Sequence, residues 1–329
     1  MKPIIFAFLK LFRAAVVIAP GLVSLQVAAE DWPQWRGSHR DGMADERRLL
    51  HGWPRGGPKV LWSITNAGSG YGSPAVVDRR VYLLGNDGFE NESVRAFSAT
   101  DGHPIWAARV GKVGNPEQQP HFPGARSTPT VVDEWLYALG SDGDLACIEL
   151  KTGKIAWRKN LRTDFHGVPG IWAYSESPLV SGEAVVVTPG GREATVVALT
   201  RKTGDVIWKS ALPEADTAAY ASAIAVCAGK TRLFVQFLQR GLVGLDATTG
   251  KLLWRNTKVV SRYGANIPTP VTGSSHCGGT GPGTSRSTIS MCMPLPVLIR
   301  LGLSGVYPVQ WFWMRSSVSR NCFRPSNLR

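Results

Sequence analysis

The residues best suited to binding a ligand fall in two long stretches between otherwise regular segments. Ala107–Ser127 holds His121, Phe122 and Arg126, and Arg158–Ser177 holds His166, Trp172 and Tyr174. Matching places elsewhere hold Tyr71, Tyr220 and the run Arg262, Tyr263, Gly264, Ala265 and Asn266. Connections of variable length carry binding residues more often than the elements they join. Brought to one rim, these side chains would make an aromatic and cationic mouth suited to a peptide, a glycan or a small polar ligand. The competing reading is that Tyr and Trp pack the loops and the histidines are solvated. No residue is assigned a catalytic role.

Other chemistry-bearing residues are accounted for by local structure. Asp142-Gly143-Asp144 and Asn86-Asp87-Gly88 look superficially like calcium loops. They lack the remaining ligands of such a loop, and they stand where hairpin turns are required. His39, His51 and His103 are isolated, with no metal-ligand spacing. The five Cys include no C-x-x-C, no C-x-x-C-H and no adjacent pair, so they form no disulfide framework, haem attachment or zinc ribbon.

The elements that must position these residues are repeats. Ala96–Trp106, Cys147–Trp157, Ala198–Trp208 and Gly244–Trp254 align without gaps. Each begins with a small residue and places Gly six positions on (Gly102, Gly153, Gly204, Gly250) and Trp four after that. With an orphan copy of the end at Trp62, successive Trp residues lie 44, 51, 51 and 46 apart. Upstream of each stands a second shared piece: Ser73-Pro74, Thr128-Pro129, Ser177-Pro178, Ser222-Ala223 and Thr269-Pro270.

One unit reads as four short strands. Ala75–Val77 turns at Asp78–Arg80 into Val81–Leu84, and Asn86-Asp87-Gly88 makes the next turn. Val94–Ser98 is the third strand, Asp101-Gly102 the third turn, and the segment ending at Trp106 the fourth strand. Four antiparallel strands in about 30 residues, recurring at this interval, are the pattern of a propeller blade. The apolar runs lack the 3.6-residue period of a helical solenoid. The expected fold is therefore all-β, an incomplete propeller of about four whole blades plus partial ones. One blade cannot bury both of its faces, and a large flat side chain at a fixed position can fill the gap to its neighbour. Burying an indole hides about 150–250 Å², on the order of 4–6 kcal/mol before entropy is subtracted.

The form small-x-x-x-x-[Thr/Asp]-Gly-x-x-x-Trp resembles the tryptophan-docking repeat of the PQQ-like, or quinoprotein-like, β-propellers. The opening Asp31–Gly37 (Asp-Trp-Pro-Gln-Trp-Arg-Gly) resembles the start of extracytoplasmic members similar to the outer-membrane assembly factor BamB. The resemblance covers about 31–273, and such rings usually close with seven or eight blades. It implies one of two functions: a non-catalytic scaffold that binds a protein or a small polar ligand at one propeller face, or a PQQ-dependent dehydrogenase. The dehydrogenase reading would bring PQQ and calcium. It would also bring adjacent cysteines, a calcium-ligand set and a catalytic Asp, which this chain does not recognisably carry. The scaffold reading is preferred and needs no cofactor. A truncated, non-functional fragment of either is the third possibility.

Charge separates the chain into three parts. The +13 of the 329 residues is concentrated at the ends. Residues 1–29 hold Lys2, Lys10 and Arg13 without an acid, and residues 274–329 hold six Arg without an acid. Between them, 28 basic residues meet all 24 acids and form no basic run, which argues against nucleic-acid binding. Residues 1–29 have the anatomy of a signal peptide, with the apolar run Ala14–Val23 and small residues at Val27–Ala29 before a cut ahead of Glu30. Export to the periplasm or beyond is expected, without stable membrane insertion after cleavage; an uncleaved anchor is the rival. The repeat pattern stops after Gly273, and the acid-free tail of 274–329 reads as a change of frame or a disordered tail, against the alternative of a natural basic tail.

Overall fold

A computed structural model of the chain describes residues 30–44, 52–118, 122–261 and 264–272, with the backbone of Ile289–Ser290. Four antiparallel sheets, each of four consecutive strands, dominate it. The first blade comprises β1 (Ala75–Val77), β2 (Arg80–Asp87), β3 (Asn91–Ser98) and β4 (Pro104–Gly111), and the second β5 (Thr130–Val132), β6 (Trp135–Leu139), β7 (Asp144–Glu149) and β8 (Ile155–Asn160). After a short helix, α1 (Leu161–Phe165), the third blade is β9 (Leu179–Ser181), β10 (Ala184–Val187), β11 (Val196–Thr200) and β12 (Val206–Ser210). The fourth is β13 (Ile224–Ala228), β14 (Thr231–Leu238), β15 (Gly241–Asp246) and β16 (Leu252–Asn256). A further strand, β17 (Val271–Thr272), pairs with β18 (Ile289–Ser290). Among the described residues the sheets do not close into a ring. No helix among the described residues is long and apolar enough to cross a membrane.

The period of two along each strand builds the core. On β6, Leu136 and Ala138 pack toward the first blade, whereas Tyr137 and Leu139 pack toward the third. Each apolar cluster therefore lies between two neighbouring sheets rather than inside one. A third cluster joins the third and fourth blades through Trp208, Phe234, Val243 and Leu245. The far face of the fourth blade carries Val235, Phe237 and Leu242 against the partly buried Trp254.

The indoles do what their spacing predicts. Trp106 Nε1 donates to the Leu150 carbonyl of the next blade at 3.0 Å, Trp157 to Arg201 at 3.0 Å and Trp208 to Ala247 at 3.2 Å. Each ring lies over the repeat glycine of that next blade. Gly153 has φ +75°, and a Cβ there would stand 2.7 Å from the Trp106 ring, so the position needs glycine for both turn and contact. The small first residue sits directly across from Trp on the adjoining strand: Ala96 opposite Trp106, Cys147 opposite Trp157, Ala198 opposite Trp208 and Gly244 opposite Trp254. A register shift follows each of these pairs and lets the Gly-containing turn form.

Four details differ from the sequence reading. The fourth strand of the first blade runs past Trp106 to Gly111, so Trp is an interior strand residue. Asn86 and Asp87 end β2, and the turn falls on Gly88–Glu90. Trp62 belongs to no strand, yet its Nε1 donates to Ala99 O at 3.0 Å and its ring covers Gly102. The indole contact is thus made from a segment that forms no strand among the described residues. Cys147 is free and buried, while Cys227 is disulfide-bonded, a bond that spacing did not anticipate.

Asp31–Asp41 straps several inner strands. Trp32 exchanges backbone bonds with Val76 of β1, and the Pro33 carbonyl accepts from Val131 N of β5 at 2.8 Å. Arg40 donates to Ser177 O and Pro178 O at 2.7 and 3.0 Å, and Trp35 Nε1 to Thr269 Oγ1 at 2.9 Å. The Ser/Thr-Pro repeat adds a polar chain beside it: Thr128 N donates to Ser177 Oγ, and Ser177 N to Ser222 Oγ.

Trp157→Ala should cost about 3–5 kcal/mol, because it opens a cavity between two sheets and removes a buried donor. Trp254→Ala, with no onward turn among the described residues, should cost clearly less. Urea unfolding followed by circular dichroism checks both; equal losses would contradict the packing described.

Candidate functional site

The connections between blades touch in series along one rim. Tyr71 N donates to Ala125 O at 2.7 Å, and Tyr220 N to Asn266 O at 3.2 Å. Asn115 Nδ2 reaches Ile171 O at 2.9 Å, and Trp172 N donates to Tyr220 Oη at 3.2 Å. The long loop after each outer strand is thereby tied to the loop of the following blade.

Two ring contacts lie on this rim. The Arg126 guanidinium lies over the Tyr71 ring, 5.1 Å from its centroid, and donates to the Phe122 carbonyl. Trp172 and Tyr220 pack with centroids 5.7 Å apart and planes tilted by 51°. Asn115, Phe122, Arg126 and Trp172 line a shallow cleft between them. Tyr71 and Phe122 are each 55% exposed, so their ring faces are available.

Other proposed residues have different places. Tyr174 is buried, with its hydroxyl donating to Pro189 O at 2.8 Å and Arg162 above its ring, so it packs the loop. Asn266 is also buried; it accepts from Ser261 N and donates to Leu238 O and Gln239 O, bracing the loop backbone. His166 is exposed at the end of α1, in a left-handed conformation with φ 51°. His121, Arg262 and Tyr263 lie outside the described residues. Thus Arg126 and Trp172 are brought together, Tyr174 and Asn266 support from beneath, and His166 stands apart.

Sequence reasoning missed Asn115 and Arg162. Asn115 Oδ1 accepts from Arg162 Nη2 at 2.7 Å, while Arg162 Nε lies 3.0 Å from Asp142. The signal for α1 itself was present: Asn160 caps it, accepting from Arg162 N at 2.9 Å and Thr163 N at 3.1 Å. The acids of the apparent calcium loops are engaged locally, Asp142 by Arg162 and Lys112, Asp144 by Asn160 and Asp87 by Arg95. Among the described residues, no group of three or more His, Cys, Asp or Glu is arranged to hold a metal ion.

Successive four-stranded sheets joined by indoles, with their variable loops on one rim, define a β-propeller of PQQ-like repeats. The sequence profile of the outer membrane protein assembly factor BamB family matches residues 43–115 and 90–274, and the chain belongs to that family. It is 27% identical over 123 residues to the outer membrane protein assembly factor BamB of Salmonella typhimurium, covering 37% of this chain and 28% of that protein. It is 26% identical over 151 residues to that of Kangiella koreensis, covering 46% and 34%. The tetrathionate hydrolase of Acidithiobacillus ferrooxidans is 26% identical over 191 residues, covering 50% and 36%. The matched region thus spans about a third of each of these relatives. Among solved structures, BamB from Moraxella catarrhalis is similar with a TM-score of 0.40 and 22% identity over 60% of this chain and 53% of that one. A quinohemoprotein alcohol dehydrogenase from Pseudomonas putida HK5 is similar with a TM-score of 0.46 and 17% identity, over 65% and 38%.

Beneath the rim lie two carboxylates that no sequence pattern marked. Glu92 of β3 is fully buried, and its oxygens accept from Ser141 N at 3.1 and 3.0 Å and from Ser141 Oγ at 2.7 Å. It thereby ties the first blade to the second. Glu176 accepts from Thr188 and from Gln236 Nε2, the latter at 2.9 Å, joining the third blade to the fourth. Burial pushes the pKa of each up to about 7, against the opposing effect of these hydrogen bonds. A carboxyl that binds its proton more tightly when folded stabilises fully below the unfolded value of 4.5 and loses that contribution as pH rises through about 7. The thermal midpoint should therefore be higher at about pH 5.5 than at about pH 8. The double variant Glu92→Gln, Glu176→Gln should flatten the difference. An unchanged pH profile in that variant would remove these groups as its cause.

Proposed function

We propose that this chain is a non-catalytic binding scaffold of the cell envelope, exported by its N-terminal segment, whose rim engages a protein partner. The observation that carries the reading is the pairing of Arg126 on Tyr71 and of Trp172 on Tyr220 along one rim, beside exposed Phe122. Flat, rigid side chains held by their neighbours give contact area at low entropic cost, which is what binding surfaces use. Membership of a family described as an outer membrane protein assembly factor supports a protein as the occupant. The aromatic and cationic chemistry also accommodates a small polar ligand. A second reading, quinone-dependent oxidation with PQQ and calcium, draws on the propeller architecture alone, and fold by itself does not define chemistry.

Photo-crosslinking tests the scaffold reading. A benzophenone amino acid replacing exposed Phe122 should give discrete protein adducts in a bacterial envelope, whereas the same group replacing Ile207, 44% exposed on β12, should not. Dye-linked oxidation of alcohols or sugars after addition of PQQ and Ca²⁺ should show no turnover. Clear turnover would replace the scaffold with the dehydrogenase.

A further inference from the structure

We propose that Arg126 is an anion receptor, and that its ligand is an acidic segment of a protein partner in which a carboxylate side chain adjoins an aromatic one. The inference rests on the rim being the partner-binding face, and it names the chemistry that face selects.

Arg162 lies 3.0 Å from Asp142, Arg201 2.7 Å from Asp133 and Arg255 3.0 Å from Glu214, while Arg95 pairs with Asp87. These are partly buried guanidinium groups, and each has a carboxylate. Arg126 is also partly buried, yet among the described residues it has no carboxylate within ion-pair distance. Arg40 and Arg80 share that lack; Arg40 is sealed at 4% exposure with two donors on backbone carbonyls, and Arg80, partly buried on β2, lies beside Tyr82. Arg126 differs in lining the rim cleft beside Phe122 and Trp172.

A guanidinium has five N–H donors. Arg126 gives a bond to one carbonyl and a face to Tyr71, which leaves donors along an edge. Burial lowers its pKa, so its charge is held at a cost that an incoming anion would offset. Glu92 is near enough to be felt but does not supply that anion, since Ser141 occupies its oxygens. A carboxylate suits the vacant edge, because it can accept two parallel bonds from a guanidinium.

The surroundings narrow the ligand further. Tyr71, Phe122 and Trp172 offer ring faces beside the cation, and two of these rings are more than half exposed. A bare inorganic anion would leave those faces wet. Polyanions such as nucleic acid bind through several unpaired cations, whereas the neighbouring Arg162 is already paired with Asp142. An aromatic side chain next to an acid would meet both the guanidinium edge and the exposed ring faces on this surface.

The experiment is isothermal titration of the full chain with a twelve-residue Gly/Ser peptide carrying a central Phe-Glu pair. Saturable binding is expected, weakening with salt and falling roughly tenfold or more when the peptide Glu becomes Gln or the protein carries Arg126→Gln. Arg126→Lys, which keeps the charge and loses the fork, should fall between. An unchanged thermal midpoint in Arg126→Gln confirms that the variant is folded. No peptide binding, equal binding of the Gln peptide, or binding untouched by Arg126→Gln overturns the proposal. Saturable binding of free benzoate at the same affinity would make this a small-molecule carboxylate site and overturn the peptide assignment. If the Phe122 cross-link persists in Arg126→Gln while the acidic peptide does not bind, the rim reading stands and the anion receptor alone falls.

Discussion

An indole N–H buried between two sheets must find an acceptor, and in each blade-to-blade contact of this protein that acceptor belongs to the next sheet. The Leu150, Arg201 and Ala247 carbonyls sit at the turn entering the fourth strand of the following blade, beside a glycine that leaves room for the ring. Apolar burial and a directional hydrogen bond therefore fix the same relative placement of two sheets. Trp62 shows how local the contact is, because it makes the bond and covers Gly102 from a segment with no strand of its own.

The centre of the arc is held by different chemistry. Inner strands are short and approach one another through backbone and hydroxyl groups, so polar partners must be supplied where side-chain packing is thin. Ser177 and Ser222 accept from the backbone of the preceding blade, and the strap of Asp31–Asp41 spans β1, β5, the start of the third blade and Thr269. Glu92 and Glu176 add ties farther out. These buried groups link one blade to another, so cooperativity between repeats does not depend on apolar contact alone.

The rim inherits its geometry from this frame. Because each connection leaves an outer strand and returns to the next inner strand, Tyr71 meets Arg126 and Trp172 meets Tyr220 across blade boundaries. The stacked pairs are therefore only as rigid as the sheets beneath them. Asn266 and Tyr174 contribute from below, through carbonyl contacts that hold the loops in place.

The sequence by itself determined the blades. A Trp that recurs with a Gly four residues before it and a small residue ten before it specifies one contact repeated, and the period of two assigns each strand its two faces. It also marked Arg126 and Trp172 as rim residues, because they lie in the connections whose length varies. What the tertiary structure alone decided is which side chains meet. Tyr174 and Asn266 have the composition of binding residues, but their polar atoms are spent on backbone carbonyls; Asn115, Glu92 and Glu176 carry no local pattern because Arg162, Ser141 and Gln236, which they meet, lie 47, 49 and 60 residues away. Short-range turn and strand preferences are written in neighbouring residues, whereas the pairing of a buried polar group is settled by whichever donor or acceptor the assembled sheets bring within reach.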